Sequence, residues 1–248
     1  MHTAQEPFPE PLTTLSAFSS VTKRIGLMTG ILIAPLRPAP LLAKQAATIH
    51  DLSGGRLTLG VSTSWQREEY ASLGMGFDDR GQRLTDIIGA CRELWKGGPS
   101  TFHSPSVNFE NMWCSPNPGE AHAIKVWFGG KFTPRLVRRV ATLGDGWIPF
   151  QGYRETPADL APKIEQLRQA TRDAGRDPAT LDVAYWMRTN RPLPEVLEEI
   201  PAMAAAGITT GEMVLSSYMK DPSDAGRVIE ELARRLEDYK DVKAAAPA

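Results

Sequence analysis

The segment Leu41–Glu69 constrains the fold of this chain more than any other, because it contains one complete step from helix to turn to strand. Six residues fall on one face at helical spacing, namely Leu41, Leu42, Gln45, Ala46, Ile49 and Leu52. Gly54-Gly55 ends the predicted helix, where glycine adopts a left-handed conformation at little cost. The apolar run Leu57–Val61 predicts a short strand that opens into small polar residues. Parallel α/β proteins hold their ligands at such strand ends.

Strands and helices continue to alternate along the rest of the chain. The patterns predict six strands in all, at residues 25–33, 57–61, 124–128, 147–150, 181–187 and 212–216. Further helices are predicted at residues 12–22, 80–95, 133–143, 156–175, 194–206 and 223–239. Residues 100–123 have no helical period and are interpreted as an excursion, with a hairpin as one option. The alternation implies a parallel sheet with helices outside, either open or closed into a barrel.

Local patterns predict several details of these helices. Thr156-Pro157 predicts a cap followed by a proline in the first turn. Pro201 predicts a bend in the helix at 194–206, and Ser223 is the predicted cap of the last helix. In the helix at 133–143, the apolar residues Leu136, Val137 and Val140 are expected inside, and the basic residues Arg135, Arg138 and Arg139 outside.

Composition is that of a single-domain protein and gives no sign of a nucleic-acid or membrane partner. The 248 residues are 42% hydrophobic, which suffices for one well-buried domain over residues 1–248, with residues 1–11 irregular and 241–248 frayed. A net charge of -1 gives no basic excess that would indicate nucleic acid or a membrane surface as partner. The sequence contains neither a membrane-spanning run nor a signal-peptide pattern, so we expect a cytoplasmic protein. Cys91 and Cys114 are too few for a disulfide framework, and Cys91 is expected in the core.

Four ordered matches give the chain a family resemblance. They are LAKQAATIHDLSGGRLTLGV with the following W, EEY, LG, F and R; then VWFGG; the helix after it; and GDGW at Gly144–Trp147. Over about Pro7–Asp182 the chain resembles the luciferase-like flavin and deazaflavin oxidoreductases. The resemblance implies an α/β fold, a (β/α)8 TIM barrel. It aligns residues 12–22 with the second helix of the family and 25–33 with its third strand, so the first strand, first helix and second strand are missing. The hypotheses are a truncated gene product, a misplaced start codon, or a domain completed by a partner.

Gly129-Gly130, between a predicted strand and helix, is the best local signal for a binding site. Glycine lets a backbone approach a ligand closely, and a helix N-terminus favours an anion. Lys131 and Arg135 add positive charge, and Thr133 can donate a hydroxyl proton. An ordinary turn is the alternative. The resemblance implies that the cofactor phosphate lies at Gly129, Gly130 and Thr133, although the family often has a small polar residue where this chain has lysine and phenylalanine.

The resemblance also implies where the cofactor ring lies. Gly30 inside a buried strand suggests a bulge or a close backbone approach, with simple packing as the alternative. In the family this strand runs behind the ring, often with an irregular peptide. Ser62 and Ser64 stand where the family has glycines. Serine can hydrogen-bond a ring, but its Cβ narrows the gap. The ring is therefore expected against Thr29, Gly30, Ser62 and Thr63.

Glu69 is the one acid that we nominate as a catalytic proton handler. The alternative is a solvated Glu68-Glu69 pair at a helix start. The four histidines are expected on the surface, namely His2, His50, His103 and His122. The sequence has no metal-ligand spacing, nucleophile elbow or phosphate-binding glycine motif. Redox chemistry would therefore need a cofactor. Relatives take acid/base residues from their first two strands, so that set cannot be carried over.

These observations predict an oxidoreductase that uses coenzyme F420, or FMN, on an unknown small organic substrate. F420 is favoured because the segment APLRPAPLLAKQAATI and the pattern R-x-TD-x4-CRELW at residues 83–95 look closest to that branch. FMN would also allow oxygen-dependent monooxygenation. The alternative function is a catalytically inactive relative that binds a flavin or acts as a subunit. An unrelated open-sheet binding protein conflicts with the ordered matches. Exposed barrel edges and the family's habit both suggest a homodimer.

Overall fold

The computed structural model describes residues 9–120, 123–150 and 155–246. The chain divides into two compact units. The first comprises Met1–Gly129 with Leu143–Asp145, and the second comprises Gly130–Thr142 with Gly146–Ala248. Both units combine parallel strands with helices, as the alternating pattern predicts. In the described part of the chain, no helix is long and apolar enough to cross a bilayer.

The first unit is built around the parallel strand β3. Its helices are α1 (Pro11–Val21), α2 (Ala39–Ser53), α3 (Arg67–Ser72) and α4 (Arg80–Trp95). Its strands are β1 (Leu27–Met28), β2 (Leu32–Ile33), β3 (Leu57–Ser62), β4 (Ser100–His103), β5 (Asn108–Met112) and β6 (Lys125–Gly130). Gly130 at the end of β6 already belongs to the second unit. Strand β3 pairs in parallel with β1 and β2 on one side and with β6 on the other.

The predicted strand at residues 25–33 is interrupted. Met28 pairs with Thr58, and Leu32 pairs with Val61. Four residue steps along the first strand therefore face three along β3, so one extra residue is accommodated as a bulge around Gly30. The expectation of a bulge or close approach at Gly30 is confirmed. The expectation of one strand buried on both faces is wrong, since Ile25 is 63% exposed.

Helix α2 is present where predicted, and Leu42, Ala46 and Ile49 of its predicted apolar face are buried, but the rest of that face is not. Leu41 and Leu52 are 51% and 60% exposed, whereas the buried stripe consists mainly of small residues, Ala39, Leu42, Ala43, Ala46, Ala47 and Ile49. Small side chains let α1 and α4 pack closely against α2. Gly54 ends the helix in the left-handed conformation, with φ of 66°, as expected.

The excursion after α4 contains a hairpin, and a buried ion pair follows it. Strands β4 and β5 pair antiparallel. The Arg92 Nη2 atom lies 2.5 Å from Asp145 Oδ2, and the same carboxylate oxygen accepts the Val126 N–H at 2.9 Å. Arg92 also donates to the carbonyls of Ile124 and Leu143. These bonds fix the start of β6 against α4.

The second unit contains parallel strands and helices. Its elements are α5 (Pro134–Leu143), β7 (Gly146–Pro149), α6 (Pro157–Asp173), β8 (Asp182–Trp186), α7 (Leu193–Leu197), α8 (Ile200–Ala205), β9 (Thr210–Glu212) and α9 (Ala225–Leu236). Strand β8 pairs in parallel with β7 and with β9. The helix predicted at 194–206 is bent enough that it forms two helices, α7 and α8.

Several predicted details of the second unit are confirmed or corrected. Thr156 caps α6 in a capping box with Asp159. The last strand ends at Glu212 instead of beginning there, because a 3-10 turn occupies Leu215–Tyr218. Asp221, not Ser223, accepts the capping hydrogen bond before α9. Arg139 was expected outside but is buried on α5.

The end of the chain is held at one residue. Ala245 donates its N–H to the Ala204 carbonyl at 2.7 Å and accepts a hydrogen bond from Arg168 Nη2 at 3.0 Å. Fraying was predicted for this tail, and these two bonds tie it to α8 and α6. The predictions for residues 1–8 and 247–248, and for His122, lie outside the described residues.

Candidate functional site

Small residues meet where the strands of the first unit end. Strands β2, β3 and β6 run in parallel, so their carboxyl ends lie at one edge. The Ser62 hydroxyl donates to the Gly129 carbonyl at 2.9 Å. A Cβ added at Gly129 would lie 3.3 Å from Ile31 Cγ2 and 3.6 Å from Ser62 Cβ. Glycine at this position therefore allows the ends of β3 and β6 and the segment between β1 and β2 to approach closely. We call Gly30, Ile31, Ser62, Thr63 and Gly129 the strand-end shelf.

Gly30 leaves an open space against the backbone of this shelf. It is exposed, and a Cβ built there would meet no atom within 4 Å. Ile31 is 37% exposed, and the Gly30–Ile31 peptide bond is cis. A flat aromatic ligand needs a surface of backbone and small side chains with room above it, and the shelf provides both.

Thr29 does not present its side chain to this space. It is only 2% exposed, and its hydroxyl donates to the Gly60 carbonyl on β3 at 2.8 Å. The hydroxyl therefore ties the bulge to β3. Any contact of Thr29 with a ligand would come from its backbone.

Glu69 is held next to the end of β3. The Ser64 hydroxyl donates to Glu69 Oε2 at 2.5 Å and accepts the Gln66 N–H at 3.0 Å. Ser64 has a φ of 40°, in the left-handed region. Glu68 is exposed and Glu69 half-buried, so the two acids do not form the solvated pair considered as the alternative. Trp65, between β3 and α3, is 81% exposed.

The predicted phosphate turn begins the second unit. Thr133 Oγ1 accepts the Leu136 N–H at 3.2 Å and thereby caps α5. Pro134 is the first helical residue and has no N–H to offer. The helix therefore has fewer donors for an anion than its position suggests. The Thr133 hydroxyl keeps its own proton to donate, because a hydroxyl accepts and donates at the same time.

Gly130 has a packing role in this turn. A Cβ there would lie 3.1 Å from Leu136 Cδ1. Its carbonyl accepts hydrogen bonds from Trp147 Nε1 and from the Phe150 N–H, both at 3.1 Å. The carbonyl is therefore already occupied, and only the close backbone approach would be offered to a ligand.

Sequence reasoning missed Glu212 and Trp186. They are paired in register at the ends of β9 and β8. The neighbouring Gly211 faces Met187 and Met203, so Glu212 points to the opposite face of the sheet. Burial raises the pKa of Glu212, and Trp186 is 52% exposed. The sequence signal for this site is an acidic residue at the end of a strand. It was not recognised because the strand was predicted to begin at Glu212.

The histidines that the structure describes do not lie at these strand ends. His50 is half-buried on α2, where burial lowers its pKa, and His103 is exposed in the hairpin. His2 and His122 lie outside the described residues. Among the residues described, no group of three or more His, Cys, Asp or Glu side chains could hold a metal ion.

Comparison with known proteins places this geometry in a family context. The family model described as luciferase-like monooxygenase matches residues 1–189. An uncharacterised protein of Mycobacterium tuberculosis is 30% identical over 230 residues, which cover 92% of this chain and 76% of that protein.

Solved structures share the fold at low sequence identity. A riboflavin lyase, solved with modified FMN and the substrate riboflavin, has a TM-score of 0.64 at 17% identity, and the match covers 98% of this chain and 64% of that one. An F420-dependent secondary alcohol dehydrogenase, in complex with an F420-acetone adduct, has a TM-score of 0.62 at 17% identity, with 97% and 71% covered. The chain thus spans less than two thirds of the lyase, and its fold class is the α/β barrel type that the resemblance implied.

Proposed function

We propose that this chain, which belongs to the luciferase-like monooxygenase family, is an oxidoreductase. It would bind coenzyme F420, or FMN in its place. The substrate would be a small organic molecule. The observation that carries the proposal is the strand-end shelf, where Ser62, Gly129 and the open backbone at Gly30 fit a flat ring. A bound flavin or deazaflavin ring would supply hydride transfer, or monooxygenation in the case of FMN. F420 is preferred on the sequence segments that resemble its branch.

In the first unit, the shelf residues would position the ring. Gly30 and Gly129 allow the backbone to approach it closely. The hydroxyl of Ser62 is held by the Gly129 carbonyl, so it would act through its shape and by fixing Gly129. Thr63 is half-buried and would supply the side-chain hydroxyl for a ring heteroatom. Thr29 would act from behind through its backbone, since its hydroxyl bonds to Gly60.

In the second unit, the turn that follows Gly129 would bind a phosphate. Gly130 would allow a close approach, and Thr133 would donate its hydroxyl proton while it accepts the Leu136 N–H. Lys131 and Arg135 add positive charge near the anion.

A side-by-side titration of the 248-residue chain with F420 and with FMN tests cofactor binding. Quenching of its six tryptophans reports binding, and a thermal melt at saturation reports stabilisation. Saturable binding of one cofactor with a raised melting temperature would support the proposal and identify the cofactor. Absence of binding by both would refute it.

Two variants of Thr133 test the phosphate site without loss of the helix cap. Aspartate and serine both cap helices well, but only serine keeps a hydroxyl donor. Thr133→Asp should weaken cofactor binding about tenfold or more, since it places a carboxylate beside the phosphate, while Thr133→Ser should bind like the parent. Gly130→Asp should also weaken binding, and Gly226→Asp, an exposed site in α9 with open space, is the charge control. If Thr133→Asp binds as tightly as Thr133→Ser, the phosphate lies elsewhere.

Glu69 is proposed as the catalytic proton handler. Gln in its place can still accept the Ser64 hydroxyl but cannot take up a proton. Glu69→Gln should therefore bind cofactor with the parent's affinity and turn over substrate more slowly. Equal turnover rates would remove Glu69 from the mechanism.

The second candidate function is an inactive relative that binds a flavin or serves as a subunit. The close bond between Ser64 and Glu69 favours it, because it engages the acid that we nominate. This hypothesis predicts that the chain binds the cofactor with normal affinity. It also predicts that the bound reduced cofactor is oxidised no faster than the free reduced cofactor, in air or with candidate substrates. A homodimer also stays a prediction, and sedimentation analysis of the purified chain tests it.

A further inference from the structure

The second unit contains an apolar cavity that the proposed function does not use. It has a volume of about 530 Å3 and 15 lining residues, none of them charged. Pockets for small molecules span about 300–1,000 Å3 and are mostly apolar. The cavity is thus large enough to hold a ligand.

The lining is adaptable and nearly free of polar groups. Met187, Met203 and Met213 contribute flexible thioethers, which fit ligands of irregular shape. Hydroxyls come only from Thr209 and Thr210, and Thr209 Oγ1 already accepts the Val183 N–H at 2.9 Å. A charged ligand would lose its hydration without finding a partner in this lining, so the ligand must be uncharged.

The cavity under α9 is partly open to solvent, and its lining offers water few hydrogen-bond partners. Val228 is the one fully buried residue of α9, while Leu232 and Leu236 of the same helix line the cavity and stay partly exposed. An apolar occupant would bury both leucines.

The end of the chain forms one wall of this cavity. Val242 and Ala244 line it. The next residue, Ala245, is clamped by the Ala204 carbonyl and by Arg168, which is itself buried. These two bonds hold Val242 and Ala244 against the cavity.

We propose that this cavity is a binding site for a small uncharged molecule with an apolar alkyl or aryl body. The site is separate from cofactor binding, so its test does not depend on the proposed function.

The test uses N-phenyl-1-naphthylamine, an uncharged dye that fluoresces in apolar surroundings. The full chain should bind it saturably, and 1-decanol should displace it. Decanoate, which has the same chain length and a charge, should displace it at least about tenfold less well. No saturable binding, or equal displacement by the two compounds, would overturn the proposal.

Two variants on α9 localise the binding. Leu236→Glu places a carboxylate at the cavity wall and should weaken dye binding about tenfold or more. Ile229→Glu is the matched control, because Ile229 is 52% exposed on the same helix and does not line the cavity, whereas Leu236 is 41% exposed. Both sites are exposed enough that the fold should survive, which a thermal melt checks. Equal dye affinities for the two variants would overturn the proposal. The proposal would also fail if the parent chain dimerises and Leu236→Glu abolishes the dimer, because a second copy of the chain would then occupy the cavity.

Discussion

Replacing Asp145 with alanine should lower the free energy of unfolding by about 3–5 kcal/mol, because the Arg92 guanidinium would stay buried without its carboxylate. The side chains of Arg92 and Asp145 are only 6% and 9% exposed, and their closest atoms lie 2.5 Å apart. The Val126 N–H would lose its acceptor as well. The cost therefore combines an unpaired buried charge with an unsatisfied backbone donor.

Urea denaturation measures this loss, and a thermal scan should show it too. For a chain of this size, 1 kcal/mol corresponds to about 2–4 °C, so the melting temperature should fall by about 6–20 °C. The ring of Trp95 lies 5.9 Å from the Arg92 guanidinium carbon, so tryptophan fluorescence reports on this region. Asp145→Asn keeps an oxygen acceptor for Val126 and should be intermediate, which gives a second variant if the alanine chain does not fold.

Asp78→Ala is the control for the ion pair. Asp78 and Arg67 are 3.4 Å apart, but their side chains are 89% and 66% exposed. Exposed pairs contribute about 0–1 kcal/mol. If Asp145→Ala costs no more than Asp78→Ala, the buried pair does not hold the start of β6 in place, and the reasoning fails.

Two further predictions concern the second unit. Burial raises the pKa of Glu212 above 4.5, so the folded state loses stability as pH rises through that raised value. Glu212→Gln should therefore raise the free energy of unfolding, and the increase should be larger at about pH 8 than at about pH 4. An increase that does not change with pH would contradict this account. Thr156→Ala should cost about 1 kcal/mol in urea denaturation, because it removes half of the capping box with Asp159, whereas Thr156→Ser should cost little. Equal losses for alanine and serine would show that the cap is not the cause.

Local patterns predicted the elements of the fold because each of them is encoded by neighbouring residues. Helix α4 has the predicted bounds, Arg80–Trp95, since its apolar period and its glycine stop are local signals. Thr156 caps α6 for the same reason. Six parallel strands were predicted, and the described residues contain five of them at the predicted positions once β1 and β2 are counted as one interrupted strand, while the sixth ends where it was predicted to begin.

Features that depend on distant residues were not predictable. The partners Arg92 and Asp145 are 53 positions apart, and neither residue type alone signals a buried pair. Leu52 fits the helical stripe of α2 but is exposed, because alanines on that helix receive the neighbouring helices. Glu212 was placed at the wrong end of its strand, because a short strand followed by apolar residues gives no local signal for its boundary.

Two serines near the end of β3 show how a side chain suited to bind a ligand can be used within the protein instead. From the sequence, Ser62 and Ser64 offered hydroxyls that could bond a ring. In the structure both protons are already used, one by the Gly129 carbonyl and one by Glu69. These two serines therefore make hydrogen bonds within the protein, and in the proposed function the recognition of a ring would fall to Thr63 and the backbone. Because those groups would contact a flavin and a deazaflavin alike, residues elsewhere in the chain would have to distinguish FMN from F420.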